Sequence, residues 1–116
     1  MIDFSKIRWI IEREEDEDGV VVWASVPKVD RYWSRDDGYY LGPETCKRQT
    51  RYWRFDEWIK THKEVQMPVL SLVDGRLISF TNGRHRFAWF RDHGLKAMPV
   101  ITDRGYGAAL RRAVGR

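Results

Sequence analysis

The segment Asn82 to Gly94 reads Asn-Gly-Arg-His-Arg-Phe-Ala-Trp-Phe-Arg-Asp-His-Gly and lies between two strand-like runs, Leu77 to Thr81 and Ala97 to Ile101. A strand ending on an Asn-Gly turn, a helix stopping on glycine and a second strand form one unit that leaves few folds open. Its charge placement is unusual. Basic side chains ordinarily avoid the first helical turn, where free N–H groups already carry partial positive charge. Here Arg84, His85 and Arg86 crowd that turn. The layout is costly when empty and sensible when an anion, above all a phosphate, sits at the helix tip. The plainer alternative is a solvated basic turn with Arg86 paired to a nearby carboxylate.

The 116 residues suffice for one core, so the whole chain, 1–116, is read as a single domain. Hydrophobic residues at 42% and charged residues at 33% describe a soluble globular protein, and no apolar run is long enough to span a bilayer. No membrane insertion is expected. The first residues lack the basic-then-apolar pattern of a signal peptide. The lone Cys46 excludes an internal disulfide and offers no metal-ligand spacing, so a cytoplasmic location is expected. Charge is unevenly spread. Residues 1–18 hold three Lys/Arg against seven Asp/Glu, a balance of −4, and the remainder holds eighteen against ten, a balance of +8. The body thus favours polyanionic partners, or simply presents a solvated basic surface.

Phe4 to Ile11 and Val20 to Val26 read as strands, and the acidic run Glu12 to Asp18, closed by Gly19, reads as the tip of a hairpin joining them. Pro27 ends the second strand, and a short helix is expected around Val29 to Ser34. Phe55, Trp58, Ile59 and His62 recur at i, i+3, i+4 and i+7, the apolar stripe of a helix. His62, at its end, is expected to be a partly buried packing residue. Val69 to Val73, a tight Asp74-Gly75 turn and Arg76 to Thr81 form a β-hairpin. Ala108 to Val114 is a further helical stretch, and the tail from Asp103 carries Arg104, Arg111, Arg112 and Arg116.

Arg35 to Thr50 lacks periodicity and contains Asp36-Asp37-Gly38 and Gly42-Pro43, so it reads as a long loop. Tyr39, Tyr40, Lys47 and Arg48 in this loop lead into Arg51, Tyr52, Trp53 and Arg54. Aromatic rings interleaved with cations suit stacking on bases and neutralising phosphates, which makes Tyr39, Tyr40, Lys47, Arg48, Arg51 and Trp53 candidate nucleic-acid contacts. Two tyrosines pinning the loop to the body account for it equally well. Of the six tryptophans, Trp9, Trp23, Trp58 and Trp89 fall at packing positions, and Trp33 and Trp53, beside basic residues, are candidate stacking surfaces.

A strand followed by Gly-x-His-Arg, an alanine two residues later, a helix closed by Gly94 and a Pro99-Val100 strand resembles the ParB/sulfiredoxin superfamily. Within it, the run from Phe80 to Trp89 with Arg91-Asp92-His93-Gly94 is most similar to the plasmid fertility inhibition factors of the oncogenic-suppression type. Arg51-Tyr52 with Phe55, and Met67-Pro68 before a strand, are similar too. The resemblance is specific over residues 51–101 and loose before them. It implies an α+β fold, a small mixed β-sheet flanked by helices, with a nucleotide or nucleic-acid phosphate bound where strand passes into helix.

The superfamily's chemistries differ by branch. Sulfiredoxins place a cysteine directly before the histidine. Arg84 stands there in this chain, so thiol repair is excluded. ParB-type partition proteins carry Gly-Glu-Arg-Arg and further domains, which this chain lacks. The fertility-inhibition branch remains. It implies a protein that blocks conjugative DNA transfer, with nucleotide or DNA as partner, ATPase or DNase activity associated with the group, and a conjugative coupling or secretion protein as target. Asn82, Gly83, Arg84, His85 and Arg86 are then the phosphate or nucleotide site, and ATP or another nucleotide the cofactor. His85 is the candidate catalytic acid or base, with an ordinary pKa near ~6.5, or else only a phosphate ligand. Phosphoryl chemistry ordinarily also uses a divalent metal, but Asp74, Asp92 and Asp103 are scattered and give no paired-carboxylate motif. Asp92 either orients His85 or pairs with an arginine. A nucleotide- or DNA-binding enzyme and a non-catalytic inhibitor of a transfer or secretion machine therefore both stand.

Overall fold

The structure, a computed structural model, describes residues 2–11, 18–41 and 50–116. Its frame is a four-stranded mixed sheet. β2 (Gly19–Ser25) pairs antiparallel with β6 (Ala97–Asp103), β6 runs parallel to β4 (Val69–Val73), and β4 turns back antiparallel into β5 (Leu77–Asn82), giving the order β2-β6-β4-β5. β1 (Arg8–Ile10) and β3 (Glu64–Gln66) form a separate parallel pair. Four helices, α1 (Val26–Trp33), α2 (Thr50–Ile59), α3 (Arg84–Asp92) and α4 (Gly107–Val114), complete the α+β arrangement. No helix among the described residues is long and apolar enough to cross a membrane.

The core is aromatic. α3 buries Phe87, Ala88, Trp89 and Phe90 in succession, which wedges it between α2, α1 and the sheet. Each such large side chain contributes about 1.5–3 kcal/mol on burial. The β4–β5 hairpin turns as its sequence demands, with Asp74 and Gly75 at φ 53° and 68°, the left-handed region that Asp-Gly tolerates. Gly94 ends α3 at φ 85°.

The N-terminal half departs from expectation in three places. Phe4–Lys6 is a 3-10 turn, capped by Asp3, whose carboxylate accepts from the Ser5 N–H at 3.0 Å, so only Arg8–Ile10 is extended. No hairpin joins β1 to β2. β1 sets Arg8 opposite Glu64 and Trp9 opposite the buried Val65, and Trp9 packs 5.1 Å from Phe90. β2 makes a seven-residue ladder with β6, and its other edge is met at Ala24 by Gly115, so the position a hairpin partner would need at that end is taken. The proposed hairpin tip lies largely outside the described residues. The first helix begins at Val26, not Val29, because the Ser25 hydroxyl accepts from the Lys28 N–H at 3.3 Å and Pro27 falls in the first turn, where its missing N–H costs nothing.

Two side chains are corrected as well. Trp33 is fully buried, edge-on to Tyr39, Phe80 and Phe87, since Val26, Val29 and Trp33 form the inward face of α1. It offers no stacking surface. His62 lies beyond the end of α2 and is exposed, with its ring stacked at 4.3 Å on Trp58.

Candidate functional site

Where β5 passes into α3, the chain turns on Gly83 at φ 87°. Both its φ and its neighbours disfavour a side chain there. A Cβ on Gly83 would lie 2.7 Å from an Arg86 guanidinium nitrogen and 3.0 Å from the Pro68 Cα. The first helical hydrogen bond runs from the Phe87 N–H to the Gly83 carbonyl at 2.9 Å, and no side chain caps the helix from the Gly83 position. The N–H groups of Arg84, His85 and Arg86 thus precede the helix's own ladder, with the positive end of its dipole behind them.

These residues form one wall of a cleft of about 470 Å³. Asn82, Gly83, Arg84, His85 and Arg86 line it from the β5–α3 junction. α2 supplies the opposite wall with Arg51, Arg54, Phe55 and Trp58, and β5 adds Phe80 and Thr81. Among the described residues, four arginines and one histidine line the cleft, and no Asp or Glu does. Phe55 and Trp58 stack on each other at 5.6 Å and 28°, which gives the cationic cleft a flat apolar flank. His85 is half-buried, its ring 5.2 Å from that of Tyr40. Burial holds its pKa below the ordinary histidine value, and the charges of Arg84 and Arg51 push it further the same way.

The wall from α2 is anchored to α3 by carboxylates. Asp92 accepts from the Tyr52 hydroxyl at 2.9 Å and from Arg91 Nε at 3.0 Å, so it pairs with the arginine and the tyrosine, not with His85. Trp89 Nε1 donates to Asp56 at 2.9 Å. Arg91 reaches Asp30 at 3.0 Å and the Tyr40 carbonyl at 2.8 Å, tying α1 and the following loop to the same helix.

The second candidate surface divides. Tyr40 is 8% exposed and sits in the core, which leaves no ring face for a base. Tyr39 is half-buried, donating to Asp30 at 3.0 Å and packing edge-on to Trp33, the geometry of a loop pinned to the body. Arg51 faces the cleft, whereas Trp53 is exposed and is not among the cleft-lining residues. Lys47 and Arg48 lie outside the described residues. Arg54 and Trp58 belong to the cleft although the interleaved aromatic-basic pattern did not single them out. The signal that finds them is helical spacing, because Arg51, Arg54, Phe55 and Trp58 fall at i, i+3, i+4 and i+7 on one side of α2.

A nucleotide or phosphodiester fits this donor set of guanidinium groups, helix-tip N–H groups and a flat aromatic flank. The described lining does not suit a divalent metal, since among the described residues no carboxylate lines the cleft and no three His, Cys, Asp or Glu side chains come together.

Comparison with solved structures decides the architecture. The chain superimposes on the crystal structure of an oncogenic suppression activity protein, a plasmid fertility inhibition factor, with a TM-score of 0.61 over 82% of its own length at 20% sequence identity. It has the fold of a plasmid fertility inhibition factor. The match covers 56% of that protein, so the chain spans little more than half the length of its structural neighbour. No protein-family model matches the sequence. No curated protein matches it either.

Proposed function

We propose that this protein is a fertility-inhibition-like factor of the ParB/sulfiredoxin type that binds a nucleotide or DNA phosphate in the arginine cleft at the tip of α3 and blocks conjugative DNA transfer. The observation that carries the reading is the cleft lining, four arginines and His85 with no carboxylate among the described residues, around a helix N-terminus without a side-chain cap. Guanidinium groups and helix-tip N–H groups are all donors, and such a set favours an anion. The fold shared with a plasmid fertility inhibition factor supplies the biological direction.

His85 is the proposed acid or base for phosphohydrolase or nuclease turnover. Burial and the neighbouring arginines favour its neutral form, whose lone pair can take a proton from an attacking water. A non-catalytic inhibitor of a transfer or secretion protein is the second reading, favoured by a cleft whose described lining residues include no carboxylate to hold a metal or orient water.

Titration with sulfate, ATP and a short oligonucleotide, each with product analysis, tests both. Binding should weaken at least about tenfold in Arg54→Gln/Arg84→Gln, given roughly 1.5–3 kcal/mol for a hydrogen bond to a charged group. Equal affinity in wild type and variant overturns the cleft reading. Binding without turnover leaves the inhibitor.

A further inference from the structure

A second cationic face lies on other elements. α4 runs beside the outer edge of β2, with Gly107 against Val20, and its inward residues Gly107, Leu110 and Val114 are buried, which leaves Arg111 and Arg112 exposed. Arg111 donates to the Val21 carbonyl at 3.4 Å. Past the helix, the Arg116 N–H donates to the Trp23 carbonyl at 3.1 Å and its guanidinium lies 4.5 Å over the Trp23 ring, which is 43% exposed. Lys28 reaches the Gly115 carbonyl at 3.4 Å. Among the described residues, none of these four cations forms an ion pair.

We propose that this face is a single-stranded nucleic-acid contact, with Lys28, Arg111, Arg112 and Arg116 on phosphates and a base stacked on the Arg116–Trp23 pair. Three features favour this partner. The β2 residues whose carbonyls accept from Arg111 and Arg116, Val21 and Trp23, are two apart, about 6.6 Å at ordinary strand rise, the scale of one nucleotide step. A guanidinium lying over an indole presents a flat cationic plane, which stacks on any base. The Val21 and Trp23 carbonyls already accept hydrogen bonds from Arg111 and Arg116, so β2 is blunted against a protein partner that would add a strand. None of these residues lines the arginine cleft, so the inference stands apart from the reading of that site.

The test uses the full chain and a short labelled oligothymidylate in a salt series. Each phosphate contact adds about 0.7 to the log–log salt slope for single strands. Lys28→Gln/Arg111→Gln/Arg112→Gln/Arg116→Gln should therefore lower the slope by roughly 2–3. Thermal unfolding and the far-ultraviolet circular dichroism should stay close to wild type, which confirms an intact fold. Arg111→Lys/Arg112→Lys/Arg116→Lys should keep the slope but bind more weakly, because an ammonium cannot stack. Trp23→Ala should lose the oligonucleotide-dependent part of the tryptophan quench. An unchanged slope in the glutamine variant overturns the proposal. So does a loss confined to binding of phosphatidylserine vesicles, which would assign the face to an anionic membrane.

Discussion

The Tyr52 hydroxyl donates to the Asp92 carboxylate at 2.9 Å, and this bond holds one wall of the arginine cleft against the other. Tyr52 lies on α2 between Arg51 and Arg54, and Asp92 is the last residue of α3, whose first residues form the facing wall. The bond joins the two helices at the end of α3 opposite its cleft-lining first turn, through residues that do not themselves line the cleft.

Tyr52→Phe keeps the ring and removes the bond. It should cost about 1–2 kcal/mol in denaturant unfolding, below the upper range for bonds to charged groups because the pair is partly solvated. The alkaline limb reports the same contact. Burial, with the hydrogen bond to Asp92 and its charge, raises the Tyr52 pKa. A group raised in the folded state contributes stability that is fully present below its unfolded value near ~10 and is lost as pH rises above it. Wild type should therefore lose stability above pH ~10 more steeply than Tyr52→Phe. Parallel stability curves would show that the bond carries no such coupling.

The C-terminal half was legible because its signals are local. Asp74-Gly75, the Gly94 cap and the strand–Asn-Gly–helix unit are each fixed by one or two residues whose backbone conformations few others adopt. β1 was misassigned because its partner, Glu64–Gln66, is three residues long and more than fifty positions away, and a ladder that short leaves no periodicity. Trp33 shows the same limit from another side. Its neighbour Arg35 suggested a surface, yet the helical phase of Val26 and Val29 puts it inside. At the site, Gly83 to Arg86 were visible because their charge contradicts their place on a helix. The facing wall was masked by reading residues 51–54 as an aromatic-basic run when helical spacing governs which of them face the cleft.

Gly83→Ala and Gly94→Ala should separate backbone strain from crowding. Both glycines have φ near 85°, at 87° and 85° respectively, but a Cβ at Gly94 meets nothing within 4 Å. Gly94→Ala should cost only the left-handed penalty of about 1–2 kcal/mol. Gly83→Ala adds contacts with Pro68 and Arg86, so it should cost more and also weaken anion binding. Equal costs in thermal unfolding would mean that Pro68 and Arg86 move aside freely.

Anion affinity should depend on pH through His85. Burial first, then Arg84 and Arg51, depress its pKa in the empty cleft. A bound anion offsets those charges and favours the protonated ring, so binding takes up a proton. Affinity should rise as pH falls through the bound-state pKa and level off below the free-state value. Sulfate is the suitable probe, because its charge is constant over that range. The stability of the empty protein should move the opposite way. The unfolded chain protonates His85 near pH ~6.5 while the folded chain resists, so acidification through that value destabilises wild type relative to His85→Gln. Isothermal titration in buffers of different ionisation heat reads the proton uptake, and zero uptake would remove His85 from the anion's surroundings.

Turnover, if measured, gives the sharpest use of His85. A positioned acid or base contributes roughly 10²- to 10⁴-fold to rate, so His85→Ala should lose that much in kcat while affinity falls far less. Glutamine keeps a hydrogen-bond donor but exchanges no proton. His85→Gln should then be nearly as inactive as alanine if proton transfer is the role, and close to wild type if the imidazole only binds phosphate. The pH profile distinguishes the two independently. A neutral base must lose activity on the acid side below its depressed pKa, and that limb should vanish in His85→Gln. Hydrolysis that survives both variants at an unchanged rate belongs to a contaminant, and the protein then acts by occupying a partner.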